Sequence, residues 1–429
     1  MKKTWMMVGG VVLVVGAVAP WGVGLVTETQ WQEVTTEVNS AQPFVRLETR
    51  DYRRGYLSAR FEGTVTFEDP ASEDVHQIEY EARVSHGITG SLLDFAPISG
   101  VPAEAADLFP DEKPRLTLET RLWGTAIAEL TVPALSVTND NTGESLNMSG
   151  GFGRIDIGSN GTEADIVMVW PGMMLDTPDL QVQLKDFQLE QTLHYLRGEV
   201  WTGEGEAGLQ SMELASGDQA PLRMEGFRMV SKTWPTDNDR RVNSETVATL
   251  DSLTSDGESF GPQRVEFVMN GLNVDSWSEL TSAMTDLQVA ALDNQAGSPA
   301  AFEQQMASMN QISGALLDLA ADGVSFGFPD ISLVTPEGEV NGELMVEHPT
   351  LSDEERSQML MVMQRLTGHM KLSLPLALAE NHPDLMMQLA PLIKEGMMTR
   401  NGDRLAMSAQ LKDLAVDVNG TVIPLPPLF

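Results

Sequence analysis

Apolar and polar side chains alternate along most of residues 27–272, the period-two signature of strands with one buried face. Arg60 to Phe67 puts Phe61, Gly63, Val65 and Phe67 on one side and polar residues on the other. Leu116 to Leu122 and Leu180 to Phe187 alternate in the same way. Asn-Gly pairs begin at 160, 270, 341, 401 and 419, and each predicts a tight hairpin because both residues tolerate positive φ. Parallel strands would need crossover helices, and no helical pattern separates these segments, so a long antiparallel meander is expected.

From residue 273 onward strands mix with segments of helical period. Ser276 and Glu279 have capping-box spacing, and Trp277, Leu280, Met284, Leu287 and Ala291 follow one helix face. A second helix is predicted from Pro299, a favoured first position, through Met306, Met309 and Leu316 to a stop at Asp322-Gly323. A third runs from the Ser352/Glu355 box to Gly368, and a fourth begins at Pro383 and carries Leu385, Leu389 and Leu392. Met370 to Leu378 alternates as a strand, and 403–411 with 413–425 predicts a closing hairpin. Amphipathic helices need a flat apolar partner. The expected fold class is therefore α+β: an extended twisted antiparallel β-sheet with amphipathic helices packed on it in the C-terminal third.

Ahead of this region, Lys2 and Lys3 precede an uncharged run of 23 residues, Thr4 to Val26, which ends before Glu28 and Glu33. As a helix the run would span roughly 34 Å, against a bilayer core of about 30 Å. The charge asymmetry predicts one transmembrane helix in a bacterial inner membrane, N-terminus cytoplasmic and the bulk of the chain periplasmic. Pro20 follows the small-residue site Ala17-Val18-Ala19 and opposes cleavage, so a retained signal-anchor is expected. The expected organisation is an anchor over 1–26, a mainly antiparallel β region over 27–272, and a mixed helix/strand region over 273–429 continuing the same periplasmic domain.

Charge narrows the function classes. With Lys2 and Lys3 set aside, 62 carboxylates face 25 bases, a net charge of −37. That excludes nucleic-acid binding by phosphate neutralisation and opposes docking on anionic lipid surfaces. The chain has no cysteine, hence no disulfide, thiolate nucleophile or thiolate metal site. Its six histidines, at 76, 86, 194, 348, 369 and 382, include no pair at helical metal-ligand spacing.

Two motif matches carry little chemistry. Gly323-Val-Ser325-Phe-Gly327 fits G-x-S-x-G, yet a nucleophile elbow needs strand–turn–helix, and here a helix ends where a strand begins. Gly203-Glu-Gly205-Glu-Ala-Gly208 fits G-x-G-x-x-G, but Glu204 and Glu206 would repel a phosphate, so a hairpin turn is expected there. Methionine is abundant, with 24 residues. Met359, Met363, Met386 and Met387 offer a soft apolar surface for a lipid, another apolar ligand or a partner, with core packing as the plainer reading.

The chain also resembles the YdgA-like family of bacterial envelope proteins over essentially its whole length. The resemblance rests on the Lys-Lys plus apolar N-terminus, on Asp51-Tyr52-Arg53-Arg54-Gly55-Tyr56-Leu57-Ser58, and on Ser85-His86-Gly87, where Ile88 replaces a proline common in the family. Leu250-Asp-Ser-Leu253, Asp275-Ser-Trp277 and the Leu411–Leu425 hairpin with Asn419-Gly420 continue it in order. It implies a single-span inner-membrane protein with a large periplasmic domain and no agreed activity. Tyr52, Arg54, Gly55 and Ser58 read as a structural corner, with glycine for close backbone approach and arginine to pair with a carboxylate.

These readings converge on a membrane-tethered periplasmic protein, non-enzymatic, that binds lipid or another apolar ligand for envelope maintenance. The alternative is a scaffold acting through protein contacts, including a homo-oligomer. A serine hydrolase using Ser325 ranks last. No catalytic residue, cofactor or metal ligand is assigned.

Overall fold

A computed structural model describes residues 2–41, 45–68, 75–99, 109, 112–139, 142–198, 200–217, 219–292, 299–356 and 359–425. Among them are 24 strands and seven α-helices, and the chain divides into two compact units.

The first unit comprises Met1–Val137, Leu146–Pro171 and Ala291–Asn294. Helix α1 (Lys2–Ala41) leads into β1 (Val45–Arg54), β2 (Ser58–Glu68), β3 (Val75–His86), β4 (Gly90–Ser99), β5 (Arg115–Arg121) and β6 (Ala126–Val132). After a short excursion through β7 (Leu135–Thr138) and β8 (Ser145–Met148) come β9 (Gly151–Ile157) and β10 (Glu163–Asp176). Antiparallel pairing gives the order β1–β2–β3–β4–β5–β6–β9–β10.

Alternation sets the two faces of this sheet. Phe61 pairs with Ala82 and Ala82 with Phe95, which builds an apolar face. The reverse face carries ion pairs, including Arg115–Asp94 at 2.9 Å, Arg154–Glu129 at 3.0 Å and Arg83–Glu81 at 2.6 Å. Phe61 is fully buried (0 % exposed), with ring centroids of Trp31 and Tyr52 each 5.2 Å away. The Trp31 indole N–H donates to Thr49 Oγ1 at 2.8 Å, so α1 is held on the apolar face by packing and by a directional bond.

That docking corrects the expected transmembrane helix. Helix α1 runs on past Val26 to Ala41, and Val23 is 1 % exposed, buried against protein. Without the part from Pro20, the uncharged run shrinks to the 16 residues Thr4–Ala19, about 24 Å of helix at 1.5 Å per residue, short of a bilayer core of about 30 Å. Among the described residues no helix is long and apolar enough to cross a membrane; the side chains of residues 1–18 lie outside that set.

The second unit comprises Thr138–Ser145, Gly172–Ala290 and Gln295–Phe429. It contains β11 (Leu180–Arg197), β12 (Val200–Ser216), β13 (Leu222–Thr236), β14 (Arg241–Leu250), β15 (Ser252–Ser255), β16 (Glu258–Phe260) and β17 (Gln263–Asn273). Then come α2 (Val274–Leu292), α3 (Pro299–Ala321), β18 (Val324–Thr335), β19 (Gly338–His348), α4 (Asp353–Arg356), α5 (Met359–Gln364) and β20 (Thr367–Pro375). The chain continues through α6 (Leu376–Asn381), α7 (Pro383–Lys394), β21 (Thr399–Asn401), β22 (Arg404–Lys412), β23 (Ala415–Val418) and β24 (Thr421–Pro424). The pairing order is β11–β12–β13–β14–β17–β18–β19–β20–β22–β23–β24, antiparallel throughout, with β15 extending β14 along β13.

The α+β expectation is overturned: antiparallel strands dominate the chain as a whole, and the helices of the C-terminal third form no layer packed on the sheet. Met284 of α2 and Met306, Met309 and Leu316 of α3 are exposed, so these members of the stripes that predicted docking face outward, while Leu280 near the start of α2 is buried. Residues Leu376 and Leu378, read as strand, turn into α6 because Pro375 closes β20 and leads the helix. The third helix is described as α4 and α5, ending at Gln364, with residues 357–358 outside the described set, and Ser352 and Glu355 exchange capping bonds at 3.1 and 3.4 Å. At α2 the cap is Asn273, whose Oδ1 accepts from the Asp275 and Ser276 N–H groups at 2.9 and 3.2 Å.

Three Asn-Gly pairs do form turns: Asn160-Gly161 between β9 and β10, Asn401-Gly402 between β21 and β22, and Asn419-Gly420 between β23 and β24. Two lie inside strands. At Gly342 a Cβ would stand 3.2 Å from Ile331 Cβ, so the glycine makes room for a cross-strand neighbour.

Candidate functional site

In the second unit, registry lines up uncharged rows on one face of the sheet. One row runs Gln191–Gly205–Ser231–Thr246–Phe267 across β11 to β17 and continues Phe328–Leu344–Met370–Ala409 across β18 to β22. The Phe267 and Phe328 rings, 5.4 Å apart, join the two halves. Flanking rows carry Leu193, Gly203, Thr233, Ser244 and Met269 on one side, and Leu189, Ala207, Met229, Ala248 and Val265 on the other.

Charges collect on the reverse face, where they pair. Arg228 meets Glu206 at 2.6 Å, Arg223 meets Glu213 at 2.8 Å, Lys371 meets Glu343 at 2.9 Å, and Lys232 pairs with Glu204. The hydrogen bond from Arg228 holds the Glu206 carboxyl below the ordinary carboxylate range, and Lys371, helped by His369, does the same for Glu343.

Helices meet the uncharged face at its ends. Trp277 of α2 packs with Val200 and Val242, and Leu385 and Leu389 of α7 pack over Leu374 and Leu405. Between them the face stays open: Trp201, Met229, Phe326 and Leu344 are 39, 38, 42 and 37 % exposed. A concavity of about 370 Å³ sinks into it. Small residues (Gly203, Gly205, Ser231, Thr233 and Ser244) floor it beside Gln191, and Leu193, Trp201, Met269, Leu272 and Trp277 wall it. The floor hydroxyls pair across strands, Ser231 with Thr246 at 3.0 Å and Thr233 with Ser244 at 3.1 Å. Gly203 has φ 151°, and a Cβ there would lie 1.8 Å from Thr192 O, so only glycine fits.

The G-x-G-x-x-G segment expected as a hairpin turn is therefore part of β12, and its first two glycines help hollow the trough. The readable signal was a run of small residues inside an alternating segment, which marks a strand lacking bulk on one face.

The methionines proposed as one surface differ in burial. Met363 is buried, Met386 packs into the core under α7, Met387 is 69 % exposed, and the Met359 side chain lies outside the described residues. Ser325 sits within β18 between Asn270 and Glu347 of the neighbouring strands. The nearby His348 ring lies with Nδ1 2.8 Å from Pro349 O and Nε2 2.7 Å from Val362 O.

In the first unit the Tyr52 segment clasps α1. Arg54 pairs with Glu28 at 3.0 Å and lies over the Trp21 ring, 5.5 Å from its centroid. The Gly55 N–H donates to Ser58 O at 2.7 Å, and a Cβ at Gly55 would stand 2.9 Å from that oxygen. Burial, with the Glu28 charge, pushes the Tyr52 hydroxyl up to about 12. His86 Nδ1 lies 2.8 Å from Ser91 Oγ, which lies 2.7 Å from Thr27 Oγ1 of α1. Burial, reinforced by Arg54, pushes the His86 imidazole down.

Residues 1–426 match a family described as a bacterial protein of unknown function, DUF945. The chain belongs to the DUF945 family. No curated protein and no solved structure matches this DUF945 chain.

Proposed function

We propose that this DUF945 protein is a binding protein that holds an apolar, acyl-type ligand on the uncharged face of its second unit, in the service of envelope maintenance. One observation carries the reading: the face is free of charge along its central rows, half-exposed, and hollowed by small residues between aromatic walls. A sheet face kept only for solubility would alternate charges, as the reverse face does. The concavity, about 370 Å³, falls at the low end of small-ligand sites, roughly 300–1,000 Å³. The resemblance to YdgA-like proteins supports an envelope location, which fractionation of the full chain tests. A second reading, a scaffold meeting protein partners or another copy, draws on the exposed apolar stripes of α2 and α3 at Met284, Met306, Met309 and Leu316.

Native mass spectrometry with lipid analysis on the full chain, purified without detergent from a bacterial envelope, decides between them. A stoichiometric acyl adduct is the expected result. A clean apo mass at a fixed subunit number above one would replace ligand binding by the scaffold reading.

A further inference from the structure

The acyl-binding reading leaves the head group open, and the distribution of charge around the trough restricts it. The groups able to hydrogen-bond at its floor, Gln191, Ser231, Thr233 and Ser244, are all uncharged. Each hydroxyl has one partner across the strand and keeps a further lone pair. Glu204 borders the trough, but it and Glu206 alternate with the floor glycines along β12 and pair with Lys232 and Arg228 on the reverse face. An anionic head group placed at the floor would thus lose its hydration, meet no cation and sit in the field of a chain of net charge −35. A cationic head group would lose its hydration as well, and the carboxylate that borders the trough, Glu204, is already paired with Lys232.

The strip leading away from the floor fits one hydrocarbon chain. From Ser231 on β13 the row passes Thr246, Phe267, Phe328 and Leu344 to Met370 on β20. Five strand spacings of about 4.8 Å make roughly 24 Å, longer than the ~15 Å depth of one leaflet of a bilayer core. Trp277 and Leu272 wall the trough at the other side.

We infer that the trough selects an uncharged single-chain lipid of the monoacylglycerol class, polar end on the Ser231/Thr233/Ser244 floor and chain along the Phe267–Met370 strip. The inference rests on the acyl-binding reading above, and the test separates the two.

Monooleoylglycerol, oleate and oleylamine, each below its aggregation threshold, are titrated against the full chain and read by native mass spectrometry. The expected result is at least tenfold tighter binding of monooleoylglycerol than of either charged probe. Ser231→Leu and Ser244→Leu, which fill the floor, are expected to cut that binding at least tenfold without lowering the melting temperature. Thr233→Lys, which sets a cation on the floor, is expected to raise oleate binding at least tenfold. Equal binding of all three probes, still blocked by Ser231→Leu, overturns the head-group selectivity and leaves the acyl site standing. Binding untouched by both floor-filling variants overturns the placement in the trough. Absence of binding by every probe overturns the acyl-binding reading itself.

Discussion

Replacing Trp31 by alanine tests whether α1 belongs to the sheet or to a membrane. Trp31 is 9 % exposed, its ring lies 5.2 Å from Phe61 and 5.5 Å from Phe95, and its N–H donates to Thr49 Oγ1 at 2.8 Å. Truncating a buried tryptophan to alanine removes about 3–5 kcal/mol through lost transfer energy and the cavity left behind. The Thr49 bond, net about 1 kcal/mol, and aromatic pairs of about 0.5–1.5 kcal/mol each favour the upper part of that range. Only part of this cost reaches global unfolding, because α1 can undock before the sheet melts. The assay is hydrogen exchange across residues 23–54 alongside urea denaturation of the full chain. Protection is expected to fall in α1 and at the amides around Thr49, with a measurable loss of stability. A double-mutant cycle with Phe61→Leu should give a coupling of about 0.5–1.5 kcal/mol. Unchanged protection with a loss below about 0.5 kcal/mol, the level of an ordinary surface substitution, would refute the docked helix.

Arg241 donates to Gly271 O, Gly323 O and Asp322 O at 2.6, 2.8 and 2.5 Å, tying β14 to β17 and to the end of α3. Arg241→Ala should destabilise by about 2–5 kcal/mol, and calorimetry should show Arg241→Lys recovering part of it, since one ammonium cannot span all three carbonyls. A pH effect follows from His86, whose folded-state titration lies below the usual 6.5. The unfolded chain then binds more protons than the folded one just below that value, so the His86 contribution is intact above pH 6.5 and shrinks as pH falls through the window beneath it. Protection factors of α1 at neutral and mildly acidic pH should show this loosening, and His86→Gln should abolish the difference.

Much of the fold is written locally. The one-for-one alternation at Arg60–Phe67 and Leu180–Phe187 becomes β2 and β11, because side chains of an extended backbone point to opposite sides at every step. The capping exchange of Ser352 with Glu355 and the Asn419-Gly420 turn are settled within four residues and could be read directly. The Gly203–Gly208 segment misled because glycines in a turn and glycines hollowing a strand look alike until the neighbouring strands are in register. The helices misled for a related reason: an apolar stripe states a need for burial without naming what will meet it.

What the sequence determined alone is therefore the period of each segment, the acidic and cysteine-free character of the chain, and its place in a family. Only the tertiary structure decided that α1 continues to Ala41 and covers Phe61, that charges and apolar rows segregate to opposite faces over many strands, and that a trough opens between Trp201 and Trp277. The physical reason is range. Alternation and caps arise from backbone geometry within a few residues, whereas coverage and concavity depend on contacts such as Trp31 with Phe95 or Thr233 with Ser244, which exist only once distant strands have paired.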